Sequence, residues 1–315
     1  MIMSRHSILH LGDIAGVPQE LSSAQRRMGF KSDAMAFQPH PFEYEIDIFR
    51  PTRLPLPFKY AEKMLSLSRV VGEYDVLHFH WSSLVPFGFD LPIWKRLGKK
   101  IILHRHGDDV RNKGEGWLYS RFADGTVVST PDLLQWSPKA SWLPNPLDLR
   151  KYPFVGLPEH AGAIRILHAP SMRSAKGTEQ VIDAAQELKR EGYEIDLMLV
   201  ENMPHHKALQ AYREADIVID QLLIGWYGVF AVECMALGKP VCVYIRDDLK
   251  RYIEGEPLVN AGPSTLKQRL IELIEDESLR REMGINGRRY VERVHDADVV
   301  CGRMVREVYG WDISF

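Results

Sequence analysis

The sequence predicts an α/β protein of two doubly wound domains, on three observations. Short apolar runs of strand length alternate with amphipathic helical patterns; the alternation is broken once, near the middle, by a proline- and glycine-rich segment; and it then restarts. A chain of 315 residues is too long for one ordinary core and fits two domains of roughly 150 residues each. Hydrophobic residues at 45% and charged residues at 26% are ordinary for a folded protein and exclude a disordered or collagen-like chain.

In the first domain, set at residues 1–150, residues 7–11 read as a strand and 18–28 as a helix, with Pro18 in its first turn and Gly29 ending it. Residues 33–37 make a second strand. Residues 38–58, rich in proline and aromatics, read as an irregular excursion. Further strands are expected at 76–79, 100–103, 126–129 and 141–143. Between 144 and 163, Pro144, Pro146, Pro153 and Pro158 with Gly156 and Gly162 stop both helix and ladder, which places the linker there. The second domain, residues 151–315, has expected strands at 164–168, 195–200, 217–220 and 240–245 and helices at 177–192, 206–215 and 230–237. Two amphipathic helices near 264–275 and 278–295 follow, then a last helix to about residue 309, free to pack back on the first domain.

The apolar runs are far shorter than the roughly 18 residues of a membrane span, and residues 8–11 are too short for a signal h-region, so a cytoplasmic protein is expected. Cys234, Cys242 and Cys301 form no C-x-x-C pair and read as buried free thiols. Residues 1–150 carry a formal charge of about +3 and the remainder about −5, too mild an imbalance to argue for nucleic acid.

Two doubly wound domains are expected to face a central cleft at the carboxyl ends of their strands, where helix N-termini favour anions without a metal ion. Arg173 and Lys176 stand just before the helix expected from Gly177. Two cations there oppose the helix dipole unless an anion joins them, which argues for a phosphate site; a solvated basic turn is the alternative. Glu233 is the only carboxylate of the apolar helix at 230–237 and must find donors, either ribose hydroxyls or a structural partner such as a backbone N–H.

Gly228, Glu233, Ala236, Gly238, Pro240 and Val241, with Lys176-Gly177 upstream, resemble the C-terminal signature of retaining GT-B glycosyltransferases of glycosyltransferase family four. Residues 75–80 and 102–107, with His78, His80, His104 and His106, resemble that family's strand-end histidine segments, and residues 143–148 its interdomain motif. The resemblance implies the GT-B architecture, with Glu233 gripping the donor ribose and Lys176 the diphosphate. It further implies that the Gly228-Val229-Phe230 backbone faces the phosphate and sugar, that Gly16 closes on the diphosphate from the opposite domain, and that His106 lies beside the transferred sugar. His78 and His80 have a more structural reading. The family's first glutamate falls on Gly225 and its arginine on Ser171, for which Arg173 is the candidate replacement.

The implied activity is transfer of a hexosyl-type sugar, with retention, from a UDP- or GDP-linked donor to a hydroxyl acceptor in cell-surface glycan or glycoconjugate synthesis. No cofactor and no metal are implied. The catalytic residues are set as His106, Arg173 and Lys176, and the donor-binding residues as Gly16, Gly228, Val229, Phe230 and Glu233. A catalytically impaired nucleotide-sugar-binding subunit and a non-hydrolysing nucleotide-sugar epimerase are the alternatives. The acceptor is a glycan, lipid-linked or protein-linked. Residues 51–58 and the Trp94–Lys100 cluster read first as solvated lysines with a buried tryptophan; the alternative is an apolar-basic surface for a peripheral membrane contact.

Overall fold

The computed structural model describes residues 6–12, 15–39, 44–107 and 109–312. They form two compact units: one comprises the chain to Asp148 together with the segment from Ala297 onward, the other Leu149–Asp296.

The first unit contains β1 (Ser7–Leu11), α1 (Val17–Arg27), β2 (Lys31–Ala36), β3 (Ile48–Phe49), α2 (Phe58–Ser68), β4 (Val76–His80), α3 (Leu91–Arg96), β5 (Lys100–Arg105), α4 (Trp117–Phe122), β6 (Gly125–Val128) and β7 (Ser141–Trp142). The strands build one parallel seven-stranded sheet in the order β3-β2-β1-β4-β5-β6-β7. β3 lies inside the stretch expected to be irregular; it adds two residues to the sheet edge, Met35 pairing with Ile48, too short for a period-2 signal to register. Helix α2 follows a proline-rich lead and was not anticipated.

The second unit contains β8 (Ile164–His168), α5 (Arg173–Lys176), α6 (Thr178–Arg190), β9 (Ile195–Leu199), α7 (His205–Glu214), β10 (Ile217–Ile219), α8 (Val229–Ala236), β11 (Val241–Val243), β12 (Val259–Asn260), α9 (Leu266–Glu275) and α10 (Glu277–Val294). Its parallel sheet runs β12-β11-β10-β8-β9. The chain then supplies the first unit with α11 (Ala297–Arg303) and a π-helical turn at Met304–Val308, which pack Cys301, Met304, Val305 and Tyr309 against Ile8, Val17 and Leu21.

Both sheets are covered on both faces, so their central strands are almost wholly buried, as β4 and β10 show. All three cysteines are free and buried, and burial pushes the Cys242 and Cys301 thiols up to about 12. Among the described residues no helix is long and apolar enough to cross a membrane.

Helix α10 approaches the turn that ends α8 closely at Gly284, where a Cβ would overlap the carbonyl oxygen of Gly238. A backbone atom cannot yield as a flexible side chain does. Gly284→Ala should therefore lower stability by about 1–3 kcal/mol, the range for overpacking. An unchanged urea midpoint in that variant would show the approach is not so close.

Candidate functional site

Each sheet reverses its strand order once. In the first, the chain winds outward through β1, β2 and β3 and then crosses to β4 on the other side of β1; in the second, β8 and β9 lie on one side and β10 on the other. Open α/β sheets bind ligands outside the carboxyl ends of the strands at such points. Within each unit, candidate residues lie on the loops and helix starts that follow the strands.

In the second unit, β8 ends at His168, whose Nδ1 donates to the Ile219 carbonyl at 2.8 Å while Nε2 accepts from the Thr178 hydroxyl at 2.9 Å. The histidine thereby ties β8, β10 and the start of α6 together, and burial lowers its pKa. Lys176 Nζ donates to Asp220 Oδ1 at 2.8 Å, and Asp220 Oδ2 accepts from the Gly228 N–H at 2.7 Å. Asp220, 1% exposed, thus joins the lysine to the N-terminus of α8. A side chain at position 228 would reach the pair, with Lys176 Nζ 3.3 Å and Asp220 Oδ2 3.5 Å from its Cβ, so glycine leaves the backbone open beside them. Lys176 keeps 14% of its side chain exposed, and one of its three N–H groups is taken by Asp220.

Arg173 lies on the short helix α5 rather than on a loop before α6. It holds Glu201 with a fork at 2.9 and 2.7 Å and reaches Glu179 at 3.4 Å, its side chain 48% exposed. The bond to Glu201 raises its pKa and lowers that of Glu201. The two cations expected to call for an external anion are therefore each met by carboxylates of this chain.

Glu233 is buried on α8, and its Oε1 accepts from Tyr152 Oη at 2.8 Å and from His205 Nε2 at 2.7 Å. Both donors fall on one oxygen; Oε2 makes no hydrogen bond among the described residues. Val229 and Phe230 open the same helix, half-buried, with Phe230 edge-on to Tyr212. Gly225 has φ 90°, and the side chain of Arg246 fills the space where its Cβ would project. Any side chain at this position is opposed by the backbone and crowded by the aliphatic carbons of Arg246.

In the first unit, Gly16 caps α1 in a left-handed conformation against the ring of Tyr44. His106 follows β5 and is partly exposed; its Nε2 lies 3.1 Å from His80 Nδ1. Around it lie His10, His78, His80 and His104, all buried. Burial drives every one of these imidazoles toward the neutral form, His10 to about 4 and His106 to about 3. The nitrogens of His10, His78 and His80, and of His80, His104 and His106, lie within 4.8 Å of one another and are the described residues that could hold a metal ion. However, His104 stacks on His106 at 21° and His78 on His80 at 10°. Stacked rings keep their lone pairs in near-parallel planes, whereas a tetrahedral ion needs them to converge.

Arg105 is buried between Glu115, the Trp81 carbonyl and the face of Tyr119, and Arg111 pairs with Asp132. Trp94 is buried, as the preferred reading of its cluster had it, 1% exposed and donating to Asp90 at 3.0 Å. Asp220, Tyr152, His205, Gln25 and His10 were not singled out by sequence reasoning. Their signal was a polar residue at the end of an apolar strand, as in Ile8-Leu9-His10-Leu11, or nothing at all, as for Tyr152 in the linker.

No family model and no curated protein matches the chain. Solved structures do, over nearly their whole length. Alr3699/HepE of Anabaena in complex with UDP-glucose has a TM-score of 0.71 at 14% identity, over 97% of this chain and 100% of that one. Sucrose-phosphate synthase of Thermosynechococcus elongatus has 0.69 at 14%, over 97% and 100%. An alpha-glucosyltransferase in complex with UDP and a 13-mer DNA has 0.72 at 10%, over 98% and 100%. The likeness is one of fold: the chain has the GT-B architecture of two Rossmann-like domains.

The neutral histidines have a consequence for acid stability. Unfolded, they take up protons below about pH 6.5, whereas folded His10 and His106 resist to about 4 and 3. Stability is thus fully present above the unfolded pKa and lost as pH falls, each histidine steepening the slope by up to about 1.4 kcal/mol per pH unit. The thermal midpoint should fall between pH 6.5 and 5, before ordinary carboxylates titrate. A flat profile in that window contradicts a buried neutral cluster.

Proposed function

We propose that the protein is a retaining, metal-independent glycosyltransferase that moves a hexosyl-type sugar from a UDP- or GDP-linked donor to a hydroxyl acceptor. The observation that carries this reading is the state of Glu233: one oxygen is held by Tyr152 and His205, and the other is left to accept from vicinal hydroxyls. The same helix begins at Gly228, beside Lys176. Ribose and diphosphate would thus be served by one helix. The structures that share this fold support the reading, since Alr3699/HepE was solved with UDP-glucose and the alpha-glucosyltransferase with UDP.

In this reading Lys176, oriented by Asp220, and the N–H groups opening α8 stabilise the leaving diphosphate, a preorganised electrostatic effect typically of a few kcal/mol per donor. Val229 and Phe230 present that backbone. Of the first unit, Gly16 is assigned to the diphosphate and His106 to the transferred sugar, as the family resemblance implies. Arg173 joins in if its fork to Glu201 opens. The leaving phosphate oxygen takes the acceptor's proton, so no protein base and no cofactor are required. The acceptor is a glycan, lipid-linked or protein-linked molecule of cell-surface glycan synthesis, met at the cytoplasmic face of a membrane. Exposed Leu54, Leu56, Phe58 and Leu65 beside Lys59 and Lys63 support a peripheral contact there. The obstructed position at Gly225 favours a second reading, a nucleotide-sugar-binding subunit without turnover.

Incubation with a panel of nucleotide sugars, with and without EDTA, tests these readings. Slow release of free nucleotide that survives chelation is expected. Activity that EDTA abolishes and manganese restores overturns metal independence; isomerised donor indicates an epimerase; binding without release indicates the subunit.

The roles of the charged residues should separate kinetically. Glu233→Gln is expected to weaken donor binding by about 1.5–3 kcal/mol with the fold intact. Lys176→Ala should act mainly on turnover, lowering kcat by on the order of a hundredfold, about 3 kcal/mol of transition-state stabilisation. Arg173→Ala should cost less than about tenfold, because its charge is already met by Glu201. Full activity in Lys176→Ala removes the diphosphate from this position.

A further inference from the structure

The histidines of the first unit are joined into a chain with a direction. Gln25 Oε1 lies 2.9 Å from His10 Nε2, His10 Nδ1 lies 3.0 Å from His80 Nε2, and His80 Nδ1 lies 3.1 Å from His106 Nε2. A neutral imidazole carries one N–H and one lone pair, so each ring that donates at one nitrogen accepts at the other. Only two arrangements satisfy all three links: every ring donates toward Gln25, or every ring donates toward His106. The amide of Gln25 chooses between them.

The distances around that amide make the choice. Ser32 Oγ is 2.6 Å from Gln25 Oε1, the length of a hydroxyl donating to a carbonyl and too short for an amide N–H reaching a hydroxyl. On its other side Gln25 Nε2 is 3.2 Å from Tyr309 Oη, an ordinary N–H···O length. Tyr309 Oη in turn lies 2.7 Å from His78 Nδ1, and His78 Nε2 has no partner. With the carbonyl of Gln25 facing His10, His10 donates at Nε2 and accepts at Nδ1. His80 likewise donates to His10 and accepts from His106. The proton of His106 is therefore on Nε2, and its Nδ1, without a hydrogen-bond partner among the described residues on a partly exposed ring, carries a lone pair.

We infer that Gln25, acting through His10 and His80, locks His106 as a hydrogen-bond acceptor at Nδ1, and that this acceptor selects a neutral sugar with a donating hydroxyl over a uronyl sugar. The ligand half rests on the reading that His106 meets the transferred sugar. A hydroxyl can turn its proton toward the lone pair; a carboxylate can only oppose it. The reverse chain would present an N–H and favour the carboxylate. Gln25, His10 and His80 are positioning residues, acting through His106.

The test begins with the full chain labelled with 15N-histidine, free of ligand, so that it does not depend on the sugar. Long-range 1H–15N spectra, with His106 assigned by the signals lost in His106→Gln, should show a pyridine-like Nδ1 and a pyrrole-like Nε2. A pyrrole-like Nδ1 overturns the proposal. Gln25→Met removes the anchor and should give His106 in both tautomers, with kcat/KM about tenfold lower, the loss of one hydrogen bond. Gln25→Glu, which keeps an acceptor toward His10, should restore the single tautomer. Equal damage in both variants with His106 unchanged means that Gln25 only packs. With wild type, a uronyl donor should be used at least about tenfold less well than its hexosyl counterpart. Equal use overturns the sugar class while leaving the transferase reading standing; no use of any nucleotide sugar defeats that reading and leaves the tautomer result intact.

Discussion

A parallel sheet covered on both faces gives its strands no water, so any polar group carried to a strand end must be partnered inside the protein. Both candidate clusters follow from this constraint. His10, His78, His80 and His104 are built into β1, β4 and β5, and they are satisfied by one another, by Gln25 and by Tyr309. The exceptions are His104, both of whose ring nitrogens are orphaned, and His78, whose Nε2 is. In the second sheet the same constraint produces the His168–Thr178 and Lys176–Asp220–Gly228 links.

The two clusters answer the constraint in opposite electrostatic ways. The first unit uses neutral rings, whose burial lowers their pKa values and makes direction, not charge, the property they transmit. The second uses a charged pair, nearly dry at Asp220 and 14% exposed at Lys176. Removing one member of such a pair leaves a buried charge uncompensated, so Asp220 and Lys176 are coupled in stability as well as position. The lysine is accordingly preorganised before any ligand arrives. Preorganisation is what makes an electrostatic contact effective in catalysis.

Most of the architecture was legible because hydrophobic periodicity and proline placement are local. The strands at 7–11, 164–168 and 217–219 and the helices at 178–190 and 277–294 were read within a residue or two of where they lie. The two-residue β3 and β12 were not, since strands that short carry no period; β7, equally short, was marked only by the apolar run that continues beyond it. The return of residues 297–312 to the first unit was admitted by the sequence but not decided by it, because an apolar helix face does not say which core it joins. Three residues proposed for the site were found in the same way, Glu233 by being alone on an apolar helix and Lys176 and Arg173 by crowding a helix start; Gly16, Gly228, Val229, Phe230 and His106 came from the family resemblance.

By itself, the sequence determined two doubly wound domains and marked Glu233 and Lys176 as residues whose chemistry needs an explanation; His106 was marked by resemblance to a family. Only the tertiary structure decided their partners. Glu201 and Asp220 stand 28 and 44 positions from the cations they hold, and Tyr152 stands 81 from Glu233. Pairing at such separations is set by the order of strands in a sheet, which local pattern does not encode. The direction of the histidine chain is more remote still: it depends on how one buried amide is turned, and the distances from Ser32 and Tyr309 reveal that only once the fold has brought them together.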